Sequence, residues 1–160
     1  MVLFRSKALQ QAAALPYVWT PDGAEIALIS SRRRKRWIVP KGWPEKDLPL
    51  NRVAALEAEE EAGLVGVPAD TALGFFDYDK DTGKGYAVAC RVYVYPLLVL
   101  EQRLAWKEKG QRQIGWYSIA EAADRVSDDG LSDILRNLAA DPDRLTCHPA
   151  PFDRISVSCL

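Results

Sequence analysis

The sequence predicts an α/β fold, specifically an α/β/α sandwich around a mixed β-sheet. Two observations lead there. Strand-like apolar segments are spread along the chain instead of being gathered in one half. Among them stands one central helix over residues 50–62, with one or two further helices near the C-terminal end, so helices are available for both faces of a sheet.

Taken in order, residues 12–19 are apolar enough for a first strand, and Pro21-Asp22-Gly23 is a turn signal. Residues 25–30 read as a second strand, with Ile26, Leu28 and Ser30 alternating against Ala27 and Ile29. The cations Arg32, Arg33, Arg34, Lys35 and Arg36 follow without a break, and a run of this kind is most often a solvated hairpin tip. After a short apolar strand at 37–39, a Lys41-Gly42 turn and a polar loop lead to the central helix. Pro49 is tolerated in a first turn. Gly63 suits a left-handed cap, with Leu64 as the apolar residue behind it. Residues 65–69 read as a connection, 73–78 as a strand, 79–85 as a loop and 86–100 as a long return strand. Arg91 interrupts that last apolar run. Residues 101–113 are the most polar stretch and hold Trp106, which is either a loop plug or a stacking platform. Residues 114–117 read as the last strand, Ser118 and Glu121 as a capping box opening a short helix, and 131–139 as a second amphipathic helix.

The bounds are those of one domain over residues 1–160, with a core over about 12–140 and a polar tail over 141–160 that contains His148. Hydrophobic residues make up 48% and charged ones 27%, and the net charge is −1. No global field therefore selects nucleic acid or membrane, and any polyanion must be held by a local patch. Arg5, Lys7, Gln10 and Gln11 break the N-terminal apolar run, so it reads as neither a signal peptide nor a membrane span. Cys90, Cys147 and Cys159 lack metal spacing and even pairing, which fits a reducing cytoplasm. No Ser-His-Asp set and no phosphate-cradling glycine loop is present, so those two chemistries lack their parts.

The central helix is electrostatically odd. At about 100° per residue, Leu50, Val53, Ala54, Glu57, Glu60 and Glu61 fall on one stripe, with Glu59 opposite. Glu57 stands i,i+3 and i,i+4 from Glu60 and Glu61, where like charges repel. All lie in the last two turns, where the macrodipole favours cations. A bound divalent cation would reverse the penalty, and clustered carboxylates are a common way of holding Mg²⁺; a solvated acidic face is the plainer alternative.

Gly42, Glu57, Glu60, Glu61 and Gly63 resemble the Nudix box, a glycine followed at fixed distance by an R-E-x-x-E-E-x-G helix. The resemblance extends to Ser30-Ser31-Arg32, Arg36-Trp37-Ile38-Val39-Pro40, Tyr93-Val94-Tyr95, and Trp106 with Arg112 and Trp116. It is similar in look to the diphosphoinositol-polyphosphate and diadenosine-polyphosphate hydrolases. The family likeness implies the Nudix fold and a metal-dependent pyrophosphohydrolase whose partner is a small-molecule polyphosphate. It implies Mg²⁺, with Mn²⁺ as the alternative, held by Glu57, Glu61 and Glu60 and by a backbone carbonyl at Lys41 or Gly42. Glu60 is the implied base, with Glu57 also catalytic and Glu61 or Glu108 as alternates. Ser30, Ser31, Arg32, Lys41, Arg91 and Arg112 fall on substrate, although Arg91 reads equally as an outward-facing edge arginine. Leu48 and Leu56 depart from the box, standing where the family has a Glu and an Arg, which suggests an apolar brace replacing a polar one. The rival expectation is a Nudix-fold phosphate-binding module with little or no turnover.

Overall fold

The computed structural model describes residues 8–146. Cys147, His148 and Cys159 of the expected tail lie outside them. In chain order the strands are β1 (Leu9–Thr20), β2 (Gly23–Ser30), β3 (Trp37–Ile38) and β4 (Lys41–Gly42), followed by helix α1 (Leu50–Ala62). Strands β5 (Leu64–Pro68), β6 (Gly74–Asp81), β7 (Ala87–Gln102) and β8 (Ile114–Ser118) come next, then α2 (Ile119–Arg125), α3 (Asp129–Ala140) and a 3₁₀ turn (Pro142–Thr146).

All eight strands belong to one sheet, with a path β3-β2-β1-β7-β5 onto which β4, β6 and β8 also pair. It is a mixed sheet: β1 and β7 run parallel from Leu9 opposite Cys90 to Tyr17 opposite Leu98, while the hairpins are antiparallel. The centre of the sheet is buried on both faces, which is why β1 and β2 read as near-continuous apolar runs. On one face α1 packs Val53, Ala54, Ala58 and Ala62 against Ala12, Ala14, Ala27 and Ile29. On the other, Ile119 and Ala122 of α2 and Leu131, Leu135 and Leu138 of α3 meet Leu15, Ile26, Leu28, Val92 and Val94. The molecule is thus an α/β/α sandwich. Both reciprocal bonds of the Ser118–Glu121 capping box form at the start of α2.

Two local expectations change. Residues 65–69 are not a connection, because β5 occupies Leu64–Pro68 and pairs with β7. Gly66 and Pro68 look like breakers in sequence, but an edge strand tolerates a proline, and the register shifts at Val65/Gly66 as in a bulge. Lys41-Gly42 is not a free turn either; it pairs with Ala13 and Ala12 of β1. At Gly66 an added Cβ would sit 1.9 Å from the Leu98 carbonyl oxygen, a backbone atom that cannot swing aside. Gly66→Ala is expected to cost on the order of 3 kcal/mol in denaturant unfolding. Gly74→Ala, with nothing nearer than 3.8 Å, is expected to change stability by about 1 kcal/mol or less.

Candidate active site

Helix α1 has no side-chain N-cap, no acid in its first turn and no base in its last. It ends on Gly63 at φ +67°, whose N–H returns to the helix carbonyls of Ala58 and Glu59. Its stability therefore comes from packing, and its last two turns are free to carry Glu57, Glu59, Glu60 and Glu61 against the dipole.

The loop over residues 103–113 answers most of that charge. Arg103 Nε lies 3.0 Å from Glu59, Lys107 Nζ 3.5 Å from Glu60, and Arg112 Nη2 3.4 Å from Glu61. Glu57 alone of the four makes no salt bridge among the described residues. It faces Gly42 so closely that a Cβ there would meet its Oε1 at 2.2 Å. Its carboxyl is pushed above the ordinary range by burial, then by Glu60 and Glu108. Glu61 is pushed up to about 7 by burial, which the Arg112 guanidinium only partly opposes.

The stripe expected from ideal helix geometry is only partly realised. Glu61 is 8% exposed, but the Glu60 side chain is 43% exposed, much like Glu59 at 39%. Glu60 lies about 60° around the helix from Glu57, on the side that Lys107 covers. Among the described residues no three acidic, histidine or cysteine side chains converge in metal-holding geometry. One or two carboxylates still fit Mg²⁺, which keeps several waters and takes substrate oxygens for the rest of its shell. The glycine cradle at Gly42 and the unneutralised Glu57 opposite it supply that fit. Gly42→Ala should displace the Glu57 carboxylate and leave the melting temperature within a few degrees, while metal-dependent turnover falls about 10- to 100-fold, as measured by steady-state kinetics.

The expected substrate contacts are scattered. Ser30 is 1% exposed, and its hydroxyl accepts from Gln113 N at 2.8 Å, so it pins the loop and is closed off from solvent. Ser31 Oγ accepts from Arg36 N at 3.0 Å and shapes the basic turn. Arg32 is exposed and reaches Glu108 at 3.4 Å, beside the carboxylates. Lys41 pairs with Ala13, on the face opposite Gly42 and Glu57, and its ammonium lies 5.3 Å from the Tyr78 ring centroid. Burial lowers its pKa, with Asp128 the larger of two acids that oppose this. Glu61 is the smaller of the two, so the Lys41 ammonium is within electrostatic reach of the acid cluster but makes no ion pair with it among the described residues. Arg91 shares their face by register, but forks onto Asp77 at 2.9 and 3.1 Å and lies over Phe75 at 4.2 Å. Arg112 is buried beneath Glu61 and Glu108.

Trp106 is a loop plug. An added Cβ on Gly63 would meet its ring at 2.5 Å, so the indole sits over the helix cap. Leu48 and Leu56 are each 37% exposed, so any brace between them is not a buried one. Leu56 instead lines a groove of about 460 Å³ with Glu59, Glu60, Arg103, Ala105, Trp106 and Lys107. Sequence reasoning missed Arg103 and Lys107. Their partners lie more than forty positions away, and nothing local in a polar loop marks them as counter-ions.

No family model matches the chain. It is 32% identical over 133 residues to Nudix hydrolase 18, mitochondrial, of Arabidopsis thaliana, covering 82% of this chain and 73% of the relative. The chain belongs to the Nudix hydrolase family. This Nudix protein is an enzyme of that class, a hydrolase acting on acid anhydrides in phosphorus-containing compounds. It is also 34% identical over 115 residues to human diphosphoinositol polyphosphate phosphohydrolase 3-alpha, covering 71% of this chain and 66% of that one. Further Arabidopsis thaliana Nudix hydrolases are matched over about half to two thirds of their length. Its fold is shared with a Caenorhabditis elegans Ap4A hydrolase, at a TM-score of 0.60 and 15% identity, over 84% of this chain and 98% of that one.

Proposed function

We propose that this Nudix domain, spanning residues 1–160 with its core over about 12–140, is a Mg²⁺-dependent pyrophosphohydrolase. Its substrate is a dinucleoside or nucleoside polyphosphate or a diphosphoinositol polyphosphate. The observation that carries the reading is Glu57, a half-buried carboxylate facing Gly42 with no salt bridge among the described residues, while Glu59, Glu60 and Glu61 each have a cation. The substrate class is supported by the names of the relatives, a diphosphoinositol polyphosphate phosphohydrolase in sequence and an Ap4A hydrolase in fold.

Glu57 and Glu61, with Glu60 and the backbone carbonyl of Lys41 or Gly42, would hold the metal. When bound, Mg²⁺, or Mn²⁺ in its place, supplies charge neutralisation for the phosphates and acidifies a water. Glu60, whose side chain is more exposed than that of Glu61, would serve as the general base. Glu57 holds its carboxylate against the Gly42 backbone and sets where the reacting phosphorus must lie. Arg32, Ser31 and the neighbouring cations orient the polyphosphate, with guanidinium donors matching phosphate oxygens. Arg91 reaches the far end of a longer substrate if its hold on Asp77 opens. The buried free thiol of Cys90 suits a reducing compartment, which we assign as cytoplasm. No described helix is long and apolar enough to cross a membrane.

Product release from a panel of diadenosine polyphosphates, nucleoside diphosphate derivatives and diphosphoinositol polyphosphates, with Mg²⁺ and with chelator, tests this. Metal-dependent cleavage of at least one class is expected. No cleavage of any class with Mg²⁺ or Mn²⁺ would favour the phosphate-binding module. Arg32→Ala should raise KM by about tenfold at low salt and by less at high salt, because an exposed phosphate contact is screened. An unmoved KM would make Arg32 a hairpin-tip charge only.

A further inference from the structure

Leu56 is apolar and lines the groove beside Glu59 and Glu60, so it brings no cation to the acids of α1. The charge that reaches the inner carboxylates comes from outside the helix. The Arg112 side chain is 8% exposed, with Nη2 3.4 Å from Glu61 Oε1 and 3.3 Å from Glu108 Oε1. Its Nη1 donates to the Ser30 carbonyl at 3.2 Å. The chain next to it is fixed twice over: Ser30 N donates to the Gln113 carbonyl at 3.0 Å, and Gln113 N donates to Ser30 Oγ at 2.8 Å. Arg112 Nε is buried with no partner among the described residues, so this guanidinium is held by its two terminal nitrogens alone.

We propose that Arg112 is a positioning residue, acting from the loop to fix the Glu61 carboxylate for the metal-bearing site rather than touching substrate itself. The planar fork is what the position requires. One guanidinium spans a carbonyl on β2 and two carboxylates on different elements, which a single ammonium on a flexible stem cannot do at once. Burial makes the pair costly to break, because removing the guanidinium leaves Glu61 desolvated and uncompensated. It also argues against a phosphate contact, since both terminal nitrogens are already engaged and little of the side chain is open. The inference rests on the metal-site reading above, and its test separates the two.

Arg112→Lys keeps the charge and loses the fork, so a change in metal affinity cannot be ascribed to a missing positive charge. The Mn²⁺ dissociation constant, read by paramagnetic titration without substrate, is expected to rise about tenfold in Arg112→Lys. In a Glu61→Gln background the same substitution should change it less than twofold, because the group being positioned is gone. With substrate, kcat should fall about 10- to 100-fold while KM stays within about twofold. Should the Lys variant melt below the assay temperature, Arg112→Gln takes its place in the same Mn²⁺ cycle, and a change that vanishes in the Glu61→Gln background supports positioning. Equal changes in both backgrounds, or a tenfold rise in KM at unchanged kcat, would overturn the proposal. Because the Mn²⁺ cycle needs no turnover, it stands even if no polyphosphate on the panel is cleaved. If wild type binds no Mn²⁺, the site reading falls first and the proposal with it.

Discussion

Glu57→Gln and Glu61→Gln are each expected to lower turnover by about a hundredfold or more while the protein stays folded. Loss of a group that only supports a metal ligand typically costs about 10- to 100-fold, and a ligand itself should cost at least as much. Glu57→Gln also removes like-charge repulsion at the wrong end of α1, so its metal-free melting temperature should hold or rise. Glu61→Gln relieves the same repulsion but leaves the buried Arg112 guanidinium with Glu108 as its remaining counter-ion, so its melting temperature should stay within a few degrees. Glu59→Gln is the control. Its carboxylate pairs with Arg103 and is turned away from Gly42, so turnover should stay within about twofold. Steady-state rates and melting curves on the three variants decide the matter. Unchanged hydrolysis in both inner variants would remove α1 from the chemistry.

The second large effect is on pH. Glu61 is pushed up to about 7 from an ordinary value of 4.5, mainly by burial. A carboxyl whose folded pKa is raised binds more protons folded than unfolded between those two values. Stability without metal must therefore fall as pH rises from about 4.5 to 7, and level off above. At about 1.4 kcal/mol for each pH unit, Glu61 contributes a loss on the order of 3 kcal/mol across that window. Glu57 is shifted in the same direction and adds to the loss. Glu61→Gln should flatten most of it in denaturant unfolding at pH 5 and pH 8 with chelator present. Metal affinity runs the other way: ligand carboxylates must lose their protons, so binding tightens as pH rises through about 7 and releases protons.

The fold was legible because its strongest signals are local. Gly63 caps α1 as its position foretells, the Ser118–Glu121 box closes, and the long apolar runs become β1, β2 and β7. β5 was not legible, since Gly66 and Pro68 are breakers everywhere except on an edge strand with a bulge. For the site, Glu57 and Glu61 turn inward as the helix period requires. Glu60 does not follow them fully, because it lies about 60° around the helix from Glu57, where its side chain stays 43% exposed beside Lys107. Ser30 and Arg112 suit phosphate by residue type, yet tertiary contacts commit both to holding the loop. Lys41 shares its strand with Gly42, but a strand sends successive side chains to opposite faces, so neighbours in sequence became strangers in space.

The central claim is that the unneutralised carboxylate facing Gly42 exists to hold a divalent cation together with a polyphosphate. Paramagnetic titration of Mn²⁺ in the presence of a methylene-bridged, non-hydrolysable polyphosphate tests it directly. Wild type is expected to bind Mn²⁺ at least tenfold more tightly than Glu57→Gln, and adding the polyphosphate should tighten wild-type binding further. Equal Mn²⁺ affinity in the two proteins, with and without the polyphosphate, would contradict it.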